Sequence, residues 1–145
     1  MNEEFIKYLG SIGMTDVLCK RVETIYNFYI ELQKNEINDI FVSDYFKEDG
    51  ERIYSSLWFF NKDYCMEAKE FVKKDDFDIA PIGHRMEYLD IQRQDFDMEQ
   101  FSDKSRLYIK FVLDVKAGGE LKAAKDNCLQ LKNILIKYLL PNLKK

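Results

Sequence analysis

Apolar residues recur along this chain with two different periods, and the change from one to the other divides it. Near the N-terminus, Phe5, Ile6 and Leu9 share one side of a short helix predicted over Asn2 to Leu9, ended by Gly10 and the Ser11-Ile12-Gly13 linker. A second helix is expected to begin at Thr15 or Asp16, whose side-chain oxygens can accept the free amide hydrogens of a first turn. Along it, Leu18, Val22, Ile25, Tyr29 and Leu32 recur at steps of four, three, four and three, which places them on one buried stripe. Val17, Phe28 and Ile30 widen that surface and imply more than one neighbour.

From Ile37 the pattern becomes strand-like. Ile37 to Phe46 is rich in β-branched and aromatic residues, and the turn Lys47-Glu48-Asp49-Gly50 returns the chain into a second strand, Arg52 to Phe60. Asn61-Lys62-Asp63 turns again, into a third strand over Tyr64 to Val72. Lys73 to Gly83, acidic at its start and containing Pro81, suits a loop or a short edge strand. Arg85 to Gln94 alternates imperfectly and is read as a strand. Leu107 to Val115 alternates best of all, with Leu107, Ile109, Phe111, Leu113 and Val115 on the core side.

Gly118-Gly119 closes the sheet portion, and a long helix is predicted from Glu120 to about Leu140, before Pro141. Leu121, Ala124, Cys128, Leu131, Leu135 and Tyr138 follow steps of three and four and form its core stripe. Leu129, Ile136, Leu140 and Leu143 fall away from that stripe, among Lys122, Lys125, Asn133 and Lys137. Four aliphatic residues on the polar side need a cover, so they are the expected interface with a protein partner or a second copy of the chain.

Runs of strands followed by a helix indicate an α+β fold: an antiparallel sheet of about five strands, two N-terminal helices, and a long C-terminal helix packed on the sheet. This element order resembles that of pleckstrin-homology-like rolls, in which a strand meander is closed by an amphipathic C-terminal helix. The resemblance is one of element order and involves no residue motif, and the two leading helices lie outside it.

A length of 145 residues suits one domain, residues 1–145, and 46% hydrophobic with 33% charged residues belongs to a folded chain. The acidic start Met1-Asn2-Glu3-Glu4 is unlike a secretory signal, and no apolar run is long enough to cross a bilayer. A cytoplasmic location without membrane insertion is therefore expected. Cys19, Cys65 and Cys128 are widely spaced, odd in number and without a C-x-x-C pair, so reduced, buried thiols are expected.

The net charge of −4 opposes nucleic-acid binding. Charge is nevertheless uneven. Nine acids stand against Arg85 and Arg93 between Asp75 and Asp103, a balance of −7, whereas Gly118 to the C-terminus carries +4. The simple reading is two solvated surfaces that partly neutralise each other; the sharper one is a surface that receives a charged partner.

Catalytic chemistry has few candidates. His84 is the sole histidine and has no nearby serine or cysteine to activate. Asp76-Phe77-Asp78 and Asp95-Phe96-Asp97 repeat a pattern in which two carboxylates share a face opposite a phenylalanine. They read as solvated acids around an apolar anchor, and as a metal site only if the pairs meet. Gly118-Gly119 lacks the rest of a phosphate loop, and Glu120 follows it. Tyr54, Trp58 and Phe60 share one parity of a strand whose only basic residue is Arg52, which suits a core or an apolar pocket floor better than a nucleic-acid platform.

No catalytic set, metal site or cofactor is assigned. The expected function is a non-catalytic protein-interaction domain. The alternatives are an apolar-ligand domain with a cavity between sheet and C-terminal helix, lined by Tyr54, Trp58 and Phe60, and a metal-dependent enzyme using the Asp-Phe-Asp segments.

Overall fold

The computed structural model describes residues 1–33, 36–94, 102–114 and 117–144. Two helices, α1 (Glu3–Ser11) and α2 (Asp16–Gln33), precede seven strands: β1 (Asp39–Phe46), β2 (Arg52–Phe60), β3 (Tyr64–Lys69), β4 (Phe77–Pro81), β5 (Tyr88–Gln94), β6 (Arg106–Asp114) and β7 (Ala117–Ala124). A third helix, α3 (Asn127–Ile134), continues into a π-helical turn (Leu135–Leu139) and a 3-10 turn (Leu140–Asn142). The α+β class, the two leading helices and the closing helix agree with the sequence reading. The strands differ, since they form two antiparallel sheets, β1-β2-β3-β4 and β5-β6-β7. Among the described residues, no helix is long and apolar enough to cross a membrane.

Local chemistry accounts for the helix starts. Asn2 Oδ1 accepts from Phe5 N at 2.9 Å, and Thr15 Oγ1 accepts from Leu18 N at 3.3 Å, so both helices begin on a side-chain cap. Phe5 and Leu9 of α1, with Val22, Ile25 and Tyr29 of α2, bury against one face of the first sheet, meeting Ile40, Val42, Leu57, Phe59 and Met66. Its opposite face carries Phe41, Trp58, Phe60 and Cys65, which pack with the second sheet and the last helix. One sheet therefore serves two cores, which is why both parities of β2 are apolar.

The sequence reading of the last helix is corrected at its start. Residues 117–124 are strand β7, paired with β6 through Ile109↔Leu121 and Leu107↔Ala123, and the helix begins seven residues later than expected, at Asn127. Leu121 and Ala124 are buried, but on a strand, while Cys128, Leu131, Leu135 and Tyr138 form the helical part of the stripe. Leu, Lys and Ala favour helix locally, and pairing with β6 overrides that preference.

Gly118 and Gly119 permit the close approach at the start of β7. A Cβ on Gly118 would lie 2.3 Å from the Phe111 carbonyl oxygen, and one on Gly119 would lie 2.3 Å from Trp58 Cη2. The two glycines let β7 cross at a distance no other residue permits. The backbone at Gly119 is what covers Trp58.

A bulge in β2 breaks the register of the first hairpin. Val42 pairs with Leu57 and Asp44 with Tyr54, so Ser43 faces both Ser55 and Ser56. Beyond the bulge, β1 lies beside β7: Lys122 N donates to Ser43 Oγ at 2.8 Å, and Ala124 N donates to Asp44 Oδ1 at 3.0 Å. Asp44 is fully buried and accepts from Arg52 Nε at 2.6 Å and from Asn127 Nδ2 at 3.0 Å. Asn127 also donates to Val42 O and accepts from the Tyr8 hydroxyl at 2.6 Å. Side chains from α1, β1, β2 and α3 thus meet in one polar knot.

Candidate functional site

The aromatic trio does not form one surface. The bulge shifts parity between Tyr54 and Leu57, so Tyr54 packs with the N-terminal helices and donates its hydroxyl to Ile12 O at 2.7 Å. Trp58 and Phe60 are each 1% exposed. The Trp58 ring stacks on Phe60, and Phe60 stacks on Tyr138 with centroids 5.3 Å apart. In the alternative reading these residues line a cavity between sheet and helix; here Trp58, Phe60 and Tyr138 stack on one another.

Trp58 does border a cleft of about 270 Å3 at the junction of the sheets, together with Glu67, Lys69, Asp78, Phe111 and Gly118. Glu67 stands directly opposite Trp58 in the β2–β3 ladder. Burial pushes its carboxyl above the ordinary range, opposed by the hydrogen bond from Ser56 Oγ at 3.0 Å. Among the described residues, the buried Trp58 Nε1–H has no hydrogen-bond partner.

The predicted interface residues divide. Leu129, Ile136 and Leu140 are 53%, 53% and 45% exposed along the last helix. Leu143 is half-buried against the core and forms a bridge with Met86, with Met86 N donating to Asn142 O and Lys144 N to Met86 O. Leu143 is therefore removed from the exposed row, because the chain after Pro141 leaves the helix and pairs with the segment before β5. The π-helical turn lies within the row, between Leu129 and Leu140, and such turns recur at functional sites in other proteins. On the opposite side of the helix, Cys128, Leu131, Ile134 and Leu139 are fully seated.

The remaining candidates have local partners or roles where they are described. Asp76 pairs with Lys74 and Asp78 with Lys69, while Phe77 packs beside Phe28. The second segment, residues 95–97, lies outside the described residues. Among the described residues, no group of three His, Cys, Asp or Glu side chains is placed to hold a metal ion. His84 is an exposed turn residue at φ 53°, where its backbone N–H donates to Asn142 Oδ1 at 3.0 Å.

Burial pushes the thiols of Cys65 and Cys128 up to about 12, far from the thiolate form that attacks or binds metal. Cys19 is half-buried and also raised, again mainly by burial. A disulfide reagent such as DTNB should titrate Cys19 alone, and slowly, in the native protein, and all three thiols after unfolding. Rapid release of two equivalents from folded protein would contradict this burial.

Comparison of the chain with protein-family models, curated proteins and solved structures finds no match.

Proposed function

We propose that the protein is a non-catalytic interaction domain that engages another protein, or a second copy of itself, through the exposed face of its C-terminal helix. The observation that carries this reading is the row Leu129, Ile136 and Leu140, about half exposed on a helix whose opposite side is fully seated. An aliphatic row on an amphipathic helix suits docking into a partner's apolar groove. Lys132, Asn133 and Lys137 provide a polar border, and Lys137 is tied to Asp39 at 3.3 Å.

Light scattering after size exclusion, over a wide concentration range, tests the self-association arm. Ile136→Asp should shift an associating wild type to monomer while changing unfolding free energy by less than about 0.5 kcal/mol, as for an exposed position. A wild type that is monomeric at every concentration excludes the second copy. The partner arm then requires a wild-type complex that Ile136→Asp abolishes.

A further inference from the structure

Beside the cleft at Trp58, and sharing Glu67 and Lys69 with it, lies a second cleft of about 410 Å3 lined by residues of β1, β2, β3 and β7. Two features of the sequence shape it. At the β2 bulge, Ser55 and Ser56 both stand opposite Ser43, which gathers three hydroxyls at one point of the sheet. To the same cleft β7 contributes Gly118 and Gly119, which have no side chains to fill the space. Glu67 and Lys69 of β3 and Glu120 and Lys122 of β7 flank the hydroxyls, and the Tyr45 ring, 42% exposed, completes the lining. The charged part of that lining is balanced, two carboxylates against two ammonium groups, with Lys69 tied to Asp78 at 2.8 Å. Such a composition favours neither an anion nor a cation and suits a neutral, polar molecule.

The hydrogen bonds already made fix which way the hydroxyls point. Ser43 Oγ donates to Lys122 O at 3.2 Å and accepts from Lys122 N at 2.8 Å. Ser55 Oγ donates to Ser43 O at 3.2 Å, and Ser56 Oγ donates to Glu67 Oε2 at 3.0 Å. A hydroxyl has one proton and two lone pairs, so Ser55 and Ser56, with their protons committed, offer themselves as acceptors. Glu67 is a half-buried carboxylate that can accept about four hydrogen bonds, of which Ser56 supplies one. The ammonium groups of Lys69 and Lys122 are donors only. A ligand that suits this arrangement must donate and accept along one edge, as neighbouring hydroxyls on a ring do.

We propose that this cleft binds a neutral sugar, with Ser55, Ser56 and Glu67 accepting from its hydroxyls, Lys122 donating to them, and the Tyr45 ring against its C–H face. Hydrogen bonds from hydroxyl to carboxylate are about twice as strong as those between neutral groups. The negative face of an aromatic ring attracts C–H groups. Strand pairing and the bonds to Ser43 and Glu67 hold the serines in place beforehand, which lowers the ordering cost of binding. The volume falls within the roughly 300–1,000 Å3 of small-molecule sites.

Saturation-transfer NMR titrations with D-glucose, D-galactose, D-mannose and D-ribose test this. At least one is expected to bind with a Kd on the order of 1 mM, weakened about tenfold or more in Glu67→Gln and in Tyr45→Ser. Glu48→Gln, which removes a carboxylate outside the cleft, should bind as wild type does. Thermal midpoints separate binding from folding: Glu67→Gln keeps an amide oxygen for Ser56 and Tyr45 is exposed, so both variants should melt close to wild type. Maltose and lactose, each compared with the monosaccharides it contains, distinguish the sources of the sugar. A gain of about tenfold assigns the site to a glycan chain, and no gain assigns it to a free monosaccharide. Absence of saturation transfer to all four sugars at tens of millimolar overturns the proposal. So does binding that neither cleft substitution weakens, equal loss in Glu48→Gln, or tighter binding of gluconate or glucosamine than of any neutral sugar.

Discussion

Gly119→Ala is expected to lower unfolding stability by about 1–3 kcal/mol or more, the usual range for overfilling a packed interior. The added methyl would fall 2.3 Å from Trp58 Cη2 and 3.1 Å from Phe111 Cε1, and Trp58 is held in turn by Phe60. Trp58→Phe supplies the control, because it removes the clashing part of the indole together with an N–H that has no partner among the described residues. Leaving such a group buried costs about 1–3 kcal/mol, which offsets part of the packing lost by truncation. The double variant Gly119→Ala/Trp58→Phe should therefore recover much of the loss seen in Gly119→Ala. Gly118→Ala should show no such rescue, since its Cβ meets the Phe111 backbone oxygen. Urea midpoints of the four variants and wild type decide the matter, and a Gly119→Ala protein as stable as wild type would rule out the close crossing.

Asp44→Ala should have the largest effect of any single polar substitution, about 3–5 kcal/mol, as for other buried ion pairs deprived of one partner. It leaves Arg52 without its carboxylate, and removes the acceptor of Ala124 N and Asn127 Nδ2. Asp44→Asn should cost less, because an amide oxygen still accepts from those two donors. The pH dependence has a definite sign. Burial raises the Asp44 carboxyl above its ordinary range, against the lowering influences of Asn127, Arg52 and Ala124. The folded state then holds this proton more tightly than the unfolded chain does. Asp44 accordingly lowers stability as pH rises from the ordinary carboxylate range through the raised folded value, and its contribution is level above that. Denaturant titrations of wild type and Asp44→Asn across that window should converge or diverge with this sign. A loss below about 1 kcal/mol in Asp44→Ala would show that the knot contributes little.

The regular parts of the fold were legible in sequence. Alternation from Leu107 to Leu113 marks β6, and the spacing of Val22, Ile25 and Tyr29 marks the seated side of α2, because each pattern is local and one-sided. The same logic failed at residues 120–126. There Leu121 and Ala124 are three apart and read as a helical step, although their burial arises from a strand paired to β6. Gly118-Gly119 was the signal against a helix, since consecutive glycines weaken a first turn and permit close crossing.

Longer-range features were not legible. One extra residue at Ser55-Ser56 reverses parity and separates Tyr54 from Trp58, and nothing in the local composition marks it. Tyr8, Asp44 and Asn127 meet only because three distant elements converge. The exposure of Leu129, Ile136 and Leu140 was legible because helical phase is local, whereas the pairing of Leu143 with Met86 depends on a distant segment.

The sheet shared by two cores also imposes an order on synthesis. The apolar side chains of the N-terminal core all lie at or before Phe77, whereas the cover for Phe41, Trp58 and Phe60 extends to Leu139. At about 5–20 residues per second, the roughly 60 residues between Phe77 and Leu139 take about 3–12 s to add. A nascent chain can therefore carry a folded helix-on-sheet half with an aromatic face still uncovered, a state open to aggregation and to chaperone capture. Substitutions that delay docking of β7 and the last helix should consequently reduce soluble yield in cells before they are noticed in the stability of the finished protein.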